Sequence, residues 1–143
     1  MPPWEHAYFR AVLNAAQDHA DAMLACGGPL RPTGLLMRMA AADRIDDAAL
    51  VDLAGLDQAT LQRFVQANAA RPDVDAIGLS RMMRLGELVD VPAPPDAGAR
   101  DVLVIYLIAR GRETWVVNDI DTATHRLQRG ELDLTRISRT FLN

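Results

Sequence analysis

Side chains with hydrogen-bonding chemistry are concentrated between residues 57 and 71 of this chain. Three glutamines, Gln58, Gln62 and Gln66, lie there together with Arg63. A glutamine amide can form two hydrogen bonds with the edge of adenine, and an arginine guanidinium can do the same with guanine. Few helices of purely structural purpose would place these four side chains on one face. Recognition of base pairs is therefore the chemistry that this set could perform.

Catalytic and metal-binding chemistry has less support in the sequence. The spacing of His6, His19 and Cys26 matches no compact metal-ligand motif, and the sequence places no His-and-acid partner beside Cys26. We find no glycine-rich phosphate loop and no Ser-His-Asp signature. The acidic pair Asp46-Asp47 is better explained as a helix cap. The sequence thus predicts no enzyme, no cofactor and no metal site.

The elements that must position these residues are predicted to be helices. The segment 4–25 has no Gly or Pro and ends at Cys26-Gly27-Gly28-Pro29, which is typical of a helix and its stop signal. Four shorter helices are predicted at 33–42, 48–54, 57–68 and 74–87. Asp46-Asp47 and Asp57 would cap the second and third of these. Gly55 would occupy a left-handed turn between them, because glycine adopts that conformation without steric cost.

Two short helices joined at a glycine form the pattern that carries a functional hypothesis. The stretch from Leu50 to Leu61 resembles the motif of the lambda-repressor-like (XRE-type) helix-turn-helix family. The residues at matching places are Leu50, Ala54, Gly55, Leu56, Asp57, Thr60 and Leu61. The resemblance extends over residues 33–91 and implies a mainly α helix-turn-helix bundle.

The resemblance also implies a docking mode on double-stranded DNA. Its second helix, 57–68, would lie in the major groove. The side chains that would face the bases are Gln58, Ala59, Gln62, Arg63 and Gln66. Phosphate contacts would fall to Thr60, Arg38, Arg44 and Arg71. The chain would then be a sequence-specific transcriptional regulator of bacterial or phage type, acting as a repressor and as a homodimer on palindromic sites.

The C-terminal third has a different composition. Residues 92–100 are rich in Pro and Gly and are predicted to be a linker. A β-hairpin is predicted at 101–117, with Tyr106 and Trp115 as a cross-strand pair, and Asp121 is expected to cap a helix through Leu127. The predicted organisation is an N-terminal helix (1–30), a DNA-binding domain (31–91), the linker, and a small α+β extension (101–143). The hairpin is the candidate surface for the dimer or for a protein partner.

Charge leaves a second function open. All fifteen basic residues are Arg, and against nineteen acidic residues they leave a net charge of −4 and a pI near 5.2. DNA-binding domains usually carry a basic surface instead. The alternative is a protein-interaction module, such as an antitoxin or an inhibitor of another regulator, that keeps the helix-turn-helix shape. No apolar run reaches membrane-spanning length, and a single cysteine fits a reducing compartment, so we expect a cytoplasmic protein without membrane contact.

Overall fold

The computed structural model describes residues 3–27, 30–41, 44–87, 100–109, 111–121 and 123–131. Within these ranges the helices are α1 (Pro3–Ala25) and α2 (Gln58–Ala69), and a short 3₁₀ turn spans Leu85–Glu87. The strands are β1 (Thr33–Ala41), β2 (Arg44–Asp52), β3 (Ala76–Arg84), β4 (Asp101–Ala109), β5 (Arg112–Asp121) and β6 (Arg126–Glu131).

The strands form one antiparallel sheet in the order β2-β1-β3-β4-β5-β6, which curls into a half-barrel. The predicted mainly α bundle is therefore wrong. The sheet joins β3 to β4 along their full length, from Ala76↔Ala109 to Arg84↔Asp101. Strands from the predicted DNA-binding domain and from the predicted extension thus belong to the same sheet. The predicted linker, except for Arg100, and the tail 132–143 lie outside the described residues.

Strand β1 replaces the helix predicted at 33–42. Thr33, Leu35 and Met37 are buried on the face that α1 covers, while Leu36 lies on the opposite face. Because β1 is an interior strand with both faces partly covered, its apolar residues run on without strict alternation. Leu, Met and Ala also favour helices, so local composition pointed to the wrong element.

Strand β2 replaces the helix predicted at 48–54. The carboxylate of Asp46 is not a cap, because it accepts a hydrogen bond of 2.6 Å from Nε of Arg38 on the neighbouring strand. Asp47 lies opposite the same arginine in the β1–β2 register. Leu50, predicted to be in a helix core, is 55% exposed on this edge strand. Pairing with β1 outweighs the helical preference of the Ala-Ala-Leu sequence.

Strand β3 and the 3₁₀ turn replace the helix predicted at 74–87. The critical residue is Gly78, because a methyl group there would come within 2.6 Å of Cγ1 of Val12 on α1. The glycine therefore lets the helix approach the sheet more closely than any other residue would allow.

Helix α1 was predicted correctly, and it covers the middle of one sheet face. Its side chains Phe9, Val12 and Ala16 pack in the main core with Leu103 and Ile105 of β4. A buried polar contact crosses this interface: Nε2 of Gln17 donates to Oδ1 of Asn118 at 3.0 Å. Asn118 in turn donates to the carbonyls of Arg129 and Gly130, so the contact ties α1, β5 and β6 together.

The hairpin predicted at 101–117 is confirmed as β4 and β5. The helix predicted from Asp121 to Leu127 is wrong. Asp121 accepts hydrogen bonds from the backbone N–H groups of Ala123 and Thr124, at 3.0 and 3.3 Å, but the bonds close a turn that leads into β6. Because Leu127 pairs with Ile120 and is buried in the main core, continued sheet pairing wins over a new helix.

Candidate functional site

The sheet face opposite α1 is covered only in part, by α2. Phe64 of α2 lies over Gly34 of β1, where a methyl group would be 3.2 Å from its Cζ. Cδ1 of Leu53, which follows β2, would also lie 3.2 Å from a methyl group at Gly34. The helix is amphipathic, and its apolar residues Leu61, Phe64 and Val65 are half-buried against the sheet.

Helix α2 begins with the local signals that the sequence predicted. Asp57 is the N-cap, and its carboxylate accepts a hydrogen bond of 2.8 Å from the backbone N–H of Thr60. Hydrogen bonds from the side chain and backbone of Thr60 lower the pKa of Asp57. Gly55 has a φ of +82°, which confirms its predicted left-handed turn.

A groove of about 680 Å³ runs between α2 and the uncovered parts of β3, β4 and β5. Tyr106 and Trp115 form its floor, with ring centroids 6.5 Å apart and planes inclined by 21°. They pair across β4 and β5, as the sequence predicted, and they are 45% and 43% exposed. Large aromatic side chains left this open on a folded domain mark a surface that is suited to a partner.

The strand registers arrange the floor in three rows. Leu79, Tyr106 and Trp115 form the middle row, from β3 through β4 to β5. A second row lies on one side of the middle row, and its residue on β5 is Glu113. A third row lies on the other side, and its residue on β3 is Arg81. The two charged residues thus stand at diagonally opposite corners of an apolar floor. Glu113 and Arg81 are offset by four residues along the strands and by two strands across the sheet, which corresponds to a separation of about 16 Å.

Three glutamines form the wall of the groove. Gln58, Gln62 and Gln66 lie at every fourth position of α2, and all three line the groove. Within the described residues, no intramolecular hydrogen bond engages any of their side-chain amides, whereas the buried Gln17 bonds to Asn118 and Arg129. At 1.5 Å per residue the three amides repeat about every 6 Å along the helix. The wall therefore offers a regular row of donors and acceptors above an apolar floor.

The other residues predicted to contact bases lie outside this wall. Ala59 and Arg63 are exposed on α2 and do not line the groove. Arg63 donates a hydrogen bond of 3.2 Å to Oγ1 of Thr60, one turn earlier. These contacts neither test nor exclude a role in DNA binding, so that role stays a prediction.

The three arginines predicted to contact phosphates belong to other elements. Arg38 and Arg44 lie on β1 and β2 instead of on a helix that precedes α2. A hydrogen bond and charge attraction from Asp46 raise the pKa of Arg38, and Asp73 does the same to Arg71, which follows α2. Two of the three guanidinium groups are thus already paired with carboxylates.

The groove also contains residues that were missing from the predicted site, notably Leu79, Arg81, Val104 and Glu113. The signal for β3 was present, since Ile77, Leu79, Arg81 and Met83 share one face at every second position. The helical interpretation of 74–87 concealed it.

Metal-binding clusters and membrane-spanning helices are both absent from the part of the chain that the structure describes. It holds no cluster of three or more His, Cys, Asp or Glu side chains that could bind a metal ion. None of its helices combines the length and apolar character required to cross a bilayer. Comparisons with protein-family models, curated proteins and solved structures yield no match to this chain.

Proposed function

We propose that this protein is a polypeptide-binding module that holds an extended, apolar segment of a partner protein in the groove between α2 and strands β3–β5. The observation that carries the proposal is the open floor of Tyr106 and Trp115 beside a wall of uncommitted glutamine amides. It develops the expectation that the hairpin 101–117 meets a protein partner.

The wall favours an extended segment over a helical one. Successive residues on one side of an extended chain repeat every 6.6–6.8 Å, which is close to the spacing of about 6 Å between the amides of Gln58, Gln62 and Gln66. Each amide can donate to and accept from a main chain at such spacing. A helix satisfies its own backbone groups and would leave these amides without backbone partners.

The floor favours polypeptide over nucleic acid. Phosphate recognition needs a row of basic side chains, but among the described residues Arg81 is the one basic residue of the groove lining. The net charge of −4 opposes a polyanion further. Tyr and Trp are enriched where protein interfaces concentrate their binding energy. Binding to double-stranded DNA, repression and homodimer formation stay predictions from the sequence.

The test is selection of short random peptides on the immobilised protein, followed by fluorescence anisotropy with the selected peptides. Trp115→Ala should weaken binding by about thirtyfold or more, as expected for a central aromatic contact. Leu50→Ala is the matched control, because it removes an exposed apolar side chain on β2, away from the groove.

Two outcomes would contradict the proposal. One is an equal loss of affinity for both variants. The other is tight binding to a selected DNA sequence with no peptide selected, in which case Gln62→Ala and Arg63→Ala should abolish that binding and the DNA hypothesis would take precedence.

A further inference from the structure

We propose that the groove reads a charge pattern: a basic residue beside Glu113, a large apolar residue on Tyr106 and Trp115, and an acidic residue beside Arg81. This inference rests on the proposed function and names the class of segment that the groove accepts. It makes Glu113 and Arg81 residues that determine specificity.

The row geometry sets the spacing of the pattern. Glu113, Trp115 and Val117 succeed one another on the same face of β5, and Val117 shares its row with Arg81. Neighbouring rows are therefore about 6.7 Å apart, which equals two residues of an extended chain. The basic, apolar and acidic residues of the bound segment should then occupy every second position, with intervening side chains turned away from the floor.

The two corner charges are available for a partner. No ion pair involves Arg81 or Glu113 among the described residues, although arginines elsewhere are paired, such as Arg38 with Asp46 and Arg100 with Asp119. The corners have opposite signs and lie too far apart to neutralise each other. Once an apolar side chain covers the floor and displaces water from it, each charge is screened less than it would be on an open surface. A segment with the complementary charges therefore binds more tightly through favourable charge attraction at both ends. A segment that places a like charge beside either corner is repelled there.

Four designed peptides test the pattern. They share the core Thr-Leu-Thr and carry at their two ends Lys and Glu, Lys and Lys, Glu and Glu, or Gln and Gln. We expect the Lys/Glu peptide to bind about tenfold more tightly than the Gln/Gln peptide at low ionic strength, with a smaller difference at high salt. A fifth peptide with the ends reversed, Glu first and Lys last, covers the opposite chain direction, and the tighter of the two is compared with the Gln/Gln peptide.

Reversing the charge of each corner residue provides the decisive experiment. Glu113→Lys should change the preferred peptide to Glu/Glu, and Arg81→Glu should change it to Lys/Lys. Arg84→Glu is the matched control, since it makes the same change on β3 at a position that does not line the groove. It should keep the Lys/Glu preference. Circular dichroism of each variant verifies that the fold is retained.

The outcomes separate this inference from the function on which it rests. If the five peptides bind equally to the wild type, or if Glu113→Lys and Arg81→Glu keep its preference, the charge pattern is refuted while peptide binding stands. If no designed or selected peptide binds, the polypeptide-binding function fails and the charge pattern fails with it.

Discussion

Gly78 provides the sharpest test of how helix and sheet are joined. In Gly78→Ala the new methyl group would lie 2.6 Å from Cγ1 of Val12, a distance that atoms of this kind do not tolerate. Val12 has no exposed surface, so its side chain cannot turn out into solvent. Relief therefore requires a shift of α1 or of β3, and both carry the main core.

The size of the effect follows from two opposing contributions. Forcing one extra carbon into a packed core costs about 1–3 kcal/mol. Replacing glycine by alanine lowers the conformational entropy of the unfolded chain, which by itself raises the free energy of unfolding by about 0.4–1 kcal/mol. The centres of the two ranges give a fall in the free energy of unfolding of roughly 1.3 kcal/mol, and their extremes limit it to about 2.6 kcal/mol. It is measured by urea denaturation with circular dichroism as the signal.

Two further variants make the test specific. Gly130→Ala on β6 is the control, because a methyl group there would meet no atom within 4 Å, and its stability should be unchanged or slightly higher. The double variant Val12→Ala/Gly78→Ala lacks Cγ1 of residue 12, the atom that the new methyl group would meet. Its loss of unfolding free energy should therefore be smaller than the sum of the losses in the two single variants. Equal midpoints for Gly78→Ala and Gly130→Ala, or strict additivity in the double variant, would refute the close approach of α1.

Three other substitutions test the polar contact, the N-cap and the turn. Asn118→Leu should lower the free energy of unfolding by about 1–3 kcal/mol because it leaves the buried amide of Gln17 without its side-chain acceptor, and adding Gln17→Leu should restore part of it; no recovery would contradict this. The pKa of Asp57 is lowered in the folded state, so its stabilising effect is present above the unfolded pKa of about 3.9 and is lost as pH falls through the folded value. Unfolding midpoints across this range should therefore fall more for the wild type than for Asp57→Asn, whose amide caps without titrating, and parallel curves would contradict the capping role. Gly55→Ala, at a φ of +82°, should cost about 1–2 kcal/mol in the same urea assay, and an unchanged midpoint would show that the turn is not left-handed.

The elements that could be predicted are those defined by signals within a few residues. Helix α1 is marked by a stretch without Gly or Pro, α2 by its Asp57 cap, and the β4–β5 hairpin by a β-branched run and a short turn. In each case the residues that identify the element lie within it or directly beside it. Sequence periodicity was therefore sufficient.

Strands β1 and β3 could not be predicted in this way because they pair with each other across a long stretch of sequence. Among the described strands, β2 pairs only with the preceding strand β1, with Ala41 opposite Arg44, but its Asp-Asp and Ala-Ala-Leu sequence resembles a capped helix. Leu35 lies opposite Gly78 in the sheet, and Leu79 lies opposite Tyr106. Nothing close to either leucine in the sequence indicates these pairings. With Leu, Met and Ala in the strands, local propensity favoured helices until the sheet was formed.

The same limit applies to the candidate groove. The sequence singled out its glutamine wall as a base-reading surface and its aromatic floor as a cross-strand pair, in two separate domains. Only the β3–β4 pairing brings wall and floor together, because it joins the strands beneath α2 to the hairpin that carries Tyr106 and Trp115.

The structure also shows which observation separates a helix-turn-helix from the present fold. An N-cap, a left-handed glycine and an apolar helix face are what any short helix needs to turn onto an apolar surface, and α2 uses all three against the sheet. A helix-turn-helix additionally requires a helix before the glycine. Residues Arg44–Asp52 form strand β2 instead, and Leu50 is 55% exposed on it. The glutamines of α2 consequently line the groove above the apolar floor of a sheet.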